Sequence, residues 1–144
     1  MTERFENLFA RLAQRREGAF VPFVNLCDPD PETSLAVLET LVASGADALE
    51  LGIPFSDPCA DGPVVEASAD RALANGATPA RCLDVLWFRT AHPETPVCLM
   101  LYINLVAAPD VRRFMQAAAD AGADAVLIPD LPTSMREAEP EWDE

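Results

Sequence analysis

One short stretch occurs twice in this chain and limits what it can fold into. Ser44-Gly45-Ala46-Asp47-Ala48-Leu49 is matched by Ala121-Gly122-Ala123-Asp124-Ala125-Val126. Each copy reads as a glycine that stops a helix, a tight turn, and entry into an apolar strand. The copies stand two strand–helix units apart, as expected of a repeating β/α chain. The strand candidates agree: residues 19–24, 47–54, 97–102 and 125–128 are short apolar runs rather than alternating ones. Such strands are covered on both faces, which implies a parallel sheet with helical crossovers.

Helical signals fill the gaps. Phe5, Leu8, Phe9 and Leu12 have helical spacing and predict an opening helix that ends near Gly18. Pro22 removes a donor from the first strand and places it at an edge or a bulge. Asp30 reads as an N-cap with Pro31 at the first helical position, and Gly45 stops the helix that follows. Further helices are expected after Pro63, after Thr78-Pro79 and after Asp110. The whole chain, 1–144, reads as a single domain, with residues 133–144 a frayed acidic tail.

Within this scaffold Glu50 is anomalous. It interrupts an otherwise apolar strand, where an unpaired carboxylate costs several kcal/mol or more to bury. The repeat places Glu50 at the position that Leu127 fills in the other copy. The scaffold wants an apolar residue there, and a charge at such a point indicates chemistry. Eleven positions later, in a turn-rich segment, stands Asp61. A strand-borne Glu followed by a loop-borne Asp is a candidate acid/base pair. In β/α barrels, functional groups gather at and beyond the C-terminal ends of the strands. Glu50, Asp61, Tyr102 and Asp130 all fall there. For Tyr102 and Asp130, a structural role, core aromatic and turn cap, competes on equal terms.

Composition removes other classes. The net charge of −14 and a pI near 4.2 argue against nucleic acid and anionic membrane as partners. No apolar run approaches a membrane span, and the first residues do not resemble a signal peptide. Cys27, Cys59, Cys82 and Cys98 are scattered without a Cys-x-x-Cys pair, which predicts free thiols in a reducing cytoplasm and no metal site. The single histidine, His92, precedes Pro93 and reads as a surface or capping residue. No Gly-x-Gly-x-x-Gly or phosphate-loop motif is present.

Several motifs together identify a family. The segments beginning at Arg4 and Gly18, the run from Gly45 to Pro58, Ala60-Asp61-Gly62-Pro63 and Tyr102-Ile103-Asn104 resemble the tryptophan synthase alpha subunit, up to about Pro132. The resemblance implies an α/β protein of the (β/α)8 TIM-barrel type with an extra N-terminal helix. It implies a cytoplasmic lyase that cleaves indole-3-glycerol phosphate to indole and glyceraldehyde 3-phosphate in tryptophan biosynthesis. By position, Glu50 matches the family's general acid/base, and Asp61 the carboxylate that accepts the indole N–H. Phe23, Met100 and Tyr102 match indole-pocket positions. Pro54, Asp57, Pro58 and Asn104 match positions near the contact with the beta subunit. That partner carries pyridoxal phosphate, and the alpha subunit carries no cofactor.

The chain also departs from the pattern. About four βα units are expected from it, half of a barrel that typically takes about 250 residues. The later loops, which hold the substrate phosphate in this family, are not among them. Activity is therefore expected to be impaired, and self-association through open sheet edges is expected. The alternative reading is a non-catalytic half barrel that self-associates or binds the beta subunit. A different sugar-phosphate barrel enzyme ranks last, because the Glu50-to-Pro63 segment fits no other family. Cys27 stands where glycine is expected, and Cys59 where a large aliphatic is expected.

Overall fold

The computed structural model describes residues 2–108, 110–132 and 134. The acidic tail lies outside the described residues except for Ser134. Four parallel strands form one sheet in the order β1-β2-β3-β4: β1 Phe23–Asn25, β2 Leu49–Gly52, β3 Val97–Met100 and β4 Ala125–Leu127. Pro22 lies just before β1, and of the two positions its missing donor allowed, an edge or a bulge, β1 takes the edge of the sheet.

The register sorts side chains by face. Phe23, Glu50, Cys98 and Ala125 stand side by side across the sheet, with Asn25, Gly52, Met100 and Leu127 forming the next row on the same face. The opposite face carries Leu49, Leu51, Val97 and Leu99, all fully buried. Helices α2 (Pro31–Ala43), α4 (Pro79–Val85) and α6 (Val111–Ala121) cover it, with Leu38, Cys82, Phe114 and Ala118 in the shared core. The Glu50 face is partly covered as well. Helix α1 (Glu3–Arg15) packs Phe5, Leu8 and Leu12 on Ala48, Cys98 and Ala125, toward the N-terminal ends of the strands.

The starts and stops follow local chemistry. Asp30 accepts the N–H of Thr33 at 2.8 Å, and Pro31 opens α2. Gly45, Gly76 and Gly122 hold positive φ where helices end. The first helix differs from expectation: it stops at Arg15, with Arg16 itself left-handed at φ 58, rather than running on toward Gly18. Hydrogen bonds from Arg16 to Ala13 and from Glu17 to Leu12 close the end without a glycine. A short helix, α5 (Ile103–Ala107), occupies the segment read only as a motif. Asp130 accepts the N–H of Ile103 at 2.9 Å, so its role is a cap supplied from the loop after β4. His92 pairs with Glu39 across 2.5 Å and joins α2 to the turn before β3.

The repeat has a structural purpose of its own. Asp47 accepts the N–H of Phe20 through its side chain and donates its own N–H to the carbonyl of the same residue. Asp124 does the same with Val97, at 2.9 and 2.8 Å. In both copies the aspartate clamps the segment at the entrance of the preceding strand. The second clamp also takes the hydroxyl of Thr2 and the guanidinium of Arg4, which fastens α1 to β4, and pairs with buried Arg89 at 3.1 Å.

Candidate active site

Phe23, Asn25, Gly52, Asp61, Met100 and Tyr102 line one small cleft at the C-terminal ends of the strands. Sequence reasoning singled out four of these. Asn25 and Gly52 were missed, although both share Glu50's face by parity. Gly52 is required at its position: a Cβ there would collide with the Asn25 amide oxygen and stand 2.8 Å from the Phe23 ring. Its absence lets Asn25 lie across β2 while its amide nitrogen donates to the Val65 carbonyl at 3.1 Å.

Glu50 does not line this cleft; it stands between Phe23 and Cys98, one row below Asn25, Gly52 and Met100. It is half-buried. Among the described residues its carboxylate has no hydrogen-bond or ion-pair partner, so an ion-paired structural role is not what the structure shows. Its charge is felt next door. Burial pushes the Cys98 thiol up to about 11, and the Glu50 carboxylate adds to the push.

Asp61 is placed by the loop after β2. The loop packs Phe55 on Tyr102, with ring centroids 5.4 Å apart. The Ala60 N–H donates to the Tyr102 hydroxyl at 3.0 Å. Gly62 then caps α3 (Pro63–Ala74), its carbonyl accepting from Val65 and Glu66. Asp61 is thus pinned between a tethered backbone on one side and a helix start on the other. Burial raises the Tyr102 phenol, and Asp61 raises it further, so the phenol stays protonated beside that carboxylate. The hydroxyl's role in holding this loop was not readable from sequence.

The partner-contact candidates divide. Asp57 and Asn104 are exposed and Pro58 is half-buried, whereas Pro54 is buried. Cys27 keeps the backbone of the glycine expected there, at φ 63. Cys59 is exposed in the loop that carries Asp61. Among the described residues no three His, Cys, Asp or Glu side chains are grouped to hold a metal, and no helix is long and apolar enough to cross a membrane.

Four parallel strands in sequential order, joined by helical crossovers, are the half barrel of the TIM-barrel class, whose functional groups gather at the strand C-terminal ends. Comparison with known proteins narrows the class. Residues 9–141 match the family described as "Tryptophan synthase alpha chain", and the chain belongs to that family. It is 52% identical over 133 residues to the tryptophan synthase alpha chain of Vibrio vulnificus strain YJ016, covering 92% of this chain and 50% of that one. It is 53% identical over 131 residues to that of Photobacterium profundum, covering 90% and 49%. Among solved structures, the alpha subunit from Legionella pneumophila str. Paris superposes with a TM-score of 0.93 at 37% identity, over 99% of this chain and 55% of that one. A tryptophan synthase complex from Pyrococcus furiosus gives 0.79 at 37% identity, over 84% and 50%. The chain therefore spans about half the length of the relatives it matches.

Proposed function

We propose that this chain carries the acid/base end of the indole-3-glycerol phosphate cleavage reaction of tryptophan biosynthesis. The observation that carries the reading is the half-buried Glu50 carboxylate, without a hydrogen-bond or ion-pair partner among the described residues, on the same sheet face as the cleft residues Asn25, Gly52 and Met100. Glu50 protonates the indole ring carbon that bears the glycerol phosphate chain. The resulting Glu50 carboxylate then takes a proton from the adjacent glycerol hydroxyl, and the carbon–carbon bond breaks. The bond's electrons return to the ring, leaving indole and glyceraldehyde 3-phosphate. Asp61 accepts the indole N–H and stabilises the positive charge that develops on the ring. Phe23 and Met100 provide the apolar walls of the pocket. Tyr102 holds the Asp61 loop. The chain's share of the chemistry uses no cofactor; pyridoxal phosphate belongs to a beta-subunit partner, which meets the region of exposed Asp57 and Asn104 and half-buried Pro58, next to buried Pro54. The setting is cytoplasmic.

The test is indole release from indole-3-glycerol phosphate by the purified chain, followed spectrophotometrically. Turnover is expected to be well below that of a full-length relative, because remote phosphate binding orients the reacting carbon. What turnover there is drops about 10²–10⁴-fold in Glu50→Gln. Activity that survives this substitution unchanged removes Glu50 from the mechanism.

A second reading, a half barrel that acts by association rather than catalysis, is favoured by exposed apolar side chains. Leu127 is 46% exposed on edge strand β4 and Val64 is 82% exposed at the start of α3.

A further inference from the structure

Two thiols far apart in the sequence meet inside the protein. Cys27, in the loop after β1, is 1% exposed, and Cys82, on α4, is fully buried. The Cys82 thiol points at the Cys27 sulfur across 3.7 Å, between residues 55 positions apart. Both are free. A disulfide bond needs about 2.05 Å, so the sulfurs are short of a bond by less than the width of one atom. Cys27 also occupies a left-handed backbone position, φ 63, that favours glycine. Its sulfur meets that of Cys82 on α4, and its N–H is held by the Ser34 hydroxyl at 3.0 Å.

We propose that Cys27 and Cys82 form a redox-closable dithiol, a modification site that a small peroxide oxidant converts into an intramolecular disulfide. The two thiols are unequal. The hydrogen bond from Cys82 lowers the Cys27 pKa against the opposing effect of burial, and nearby Arg81 helps. Donating that bond, together with burial, raises Cys82. Cys27 is therefore the attacking sulfur. Its thiolate attacks one peroxide oxygen, the O–O bond breaks, and the departing hydroxide takes up the Cys27 proton as water. The Cys82 sulfur then attacks the sulfenic sulfur of Cys27. The S–S bond forms, the S–O bond breaks, and the second water leaves with the Cys82 proton. Two thiols lose two electrons, and one peroxide becomes two waters.

The bond ties the loop after β1 to α4. That loop begins beside Asn25, which lines the candidate cleft, and continues into Asp28, which holds Ser68 and Arg71 of α3. Oxidation therefore stiffens one wall of the site without touching Glu50 or Asp61.

The test uses the chain with Cys59→Ser and Cys98→Ser, so that only this pair remains. It is treated with hydrogen peroxide while folded, then alkylated with iodoacetamide under denaturing conditions. The expected result is an intact mass lower by two hydrogens, with no alkylation, a cross-linked peptide containing both cysteines, and a higher thermal midpoint that dithiothreitol reverses. Where the double variant fails to fold, peptide mapping of the peroxide-treated wild-type chain reads the same linkage. Two alkylated thiols after peroxide, stable sulfinic acid at either position, or a disulfide between chains overturns the proposal.

Discussion

Glu50 stands where the other copy of the repeat has Leu127, and among the described residues its carboxylate has no hydrogen-bond or ion-pair partner. A purely structural strand gains nothing from such a charge. The same row and the one above it explain Gly52. Replacing it with alanine forces Asn25 and Phe23 apart, and overpacking of this kind costs about 1–3 kcal/mol. Urea unfolding of Gly52→Ala should show that loss; an unchanged midpoint would mean that the cleft floor gives way freely. Asp28 sets a pH dependence. Burial acts to raise its pKa, but the hydrogen bonds from Arg71 and Ser68 outweigh it, so the folded value lies below the ordinary one. A depressed folded value gives stability above the unfolded pKa, about 3.9, that is lost as pH falls through the folded value. Asp28→Asn is therefore expected to be less stable than the wild type above about pH 4, with the two converging in more acid solution. Thermal melts across that range check it, and a constant difference at all pH values would assign the effect to something other than titration.

At the level of elements, the repeated aspartates act as one device in two environments. Asp47 makes its clamp in an exposed setting. The Asp124 side chain is fully buried and faces Arg89, itself 7% exposed. Burial lowers the Arg89 pKa, a sign of how poorly that site tolerates an uncompensated cation, and Asp124 works against the shift. Asp124→Ala strips the ion pair, the clamp on β3 and the tether of α1 together, and is expected to cost about 3–5 kcal/mol. Asp47→Ala removes an exposed hydrogen bond and should cost about 0.5–1.5 kcal/mol. Chemical denaturation of both variants measures the contrast, and equal losses would contradict it. The sequence showed the clamp as a pattern but not as a clamp. Which backbone each carboxylate grips depends on the strand that folds beside it, not on its neighbours in the chain. Helix boundaries were legible where a cap is local, as at Asp30-Pro31 and Thr78-Pro79. They were missed where the cap is remote, as with α5, whose first N–H is held by Asp130, and where a non-glycine residue takes the left-handed turn, as Arg16 does after α1.

For the whole molecule, the helix-covered face forms a continuous core, whereas the Glu50 face is covered by α1 only toward its N-terminal end. The edges β1 and β4 and the exposed Val64 and Leu127 offer surface to another molecule. The chain is expected to self-associate, and Leu127→Lys with Val64→Lys to shift it toward monomer. Light scattering of both proteins decides this; a monodisperse folded wild-type monomer would refute it.

Sequence alone determined the parallel β/α architecture, narrowed β1 to an edge or a bulge, and singled out Glu50 as a charge out of place. Each of these follows from local periodicity, from proline's missing donor, or from a charge set against an apolar pattern. Tertiary structure decided what touches what. It tied the Asp61 loop to the Tyr102 hydroxyl, made Gly52 the seat for Asn25, and turned two scattered cysteines into neighbours. Contacts between residues tens of positions apart leave no periodic trace in the chain. They arise only when parallel strands and their crossover helices bring distant segments to the same end of the sheet.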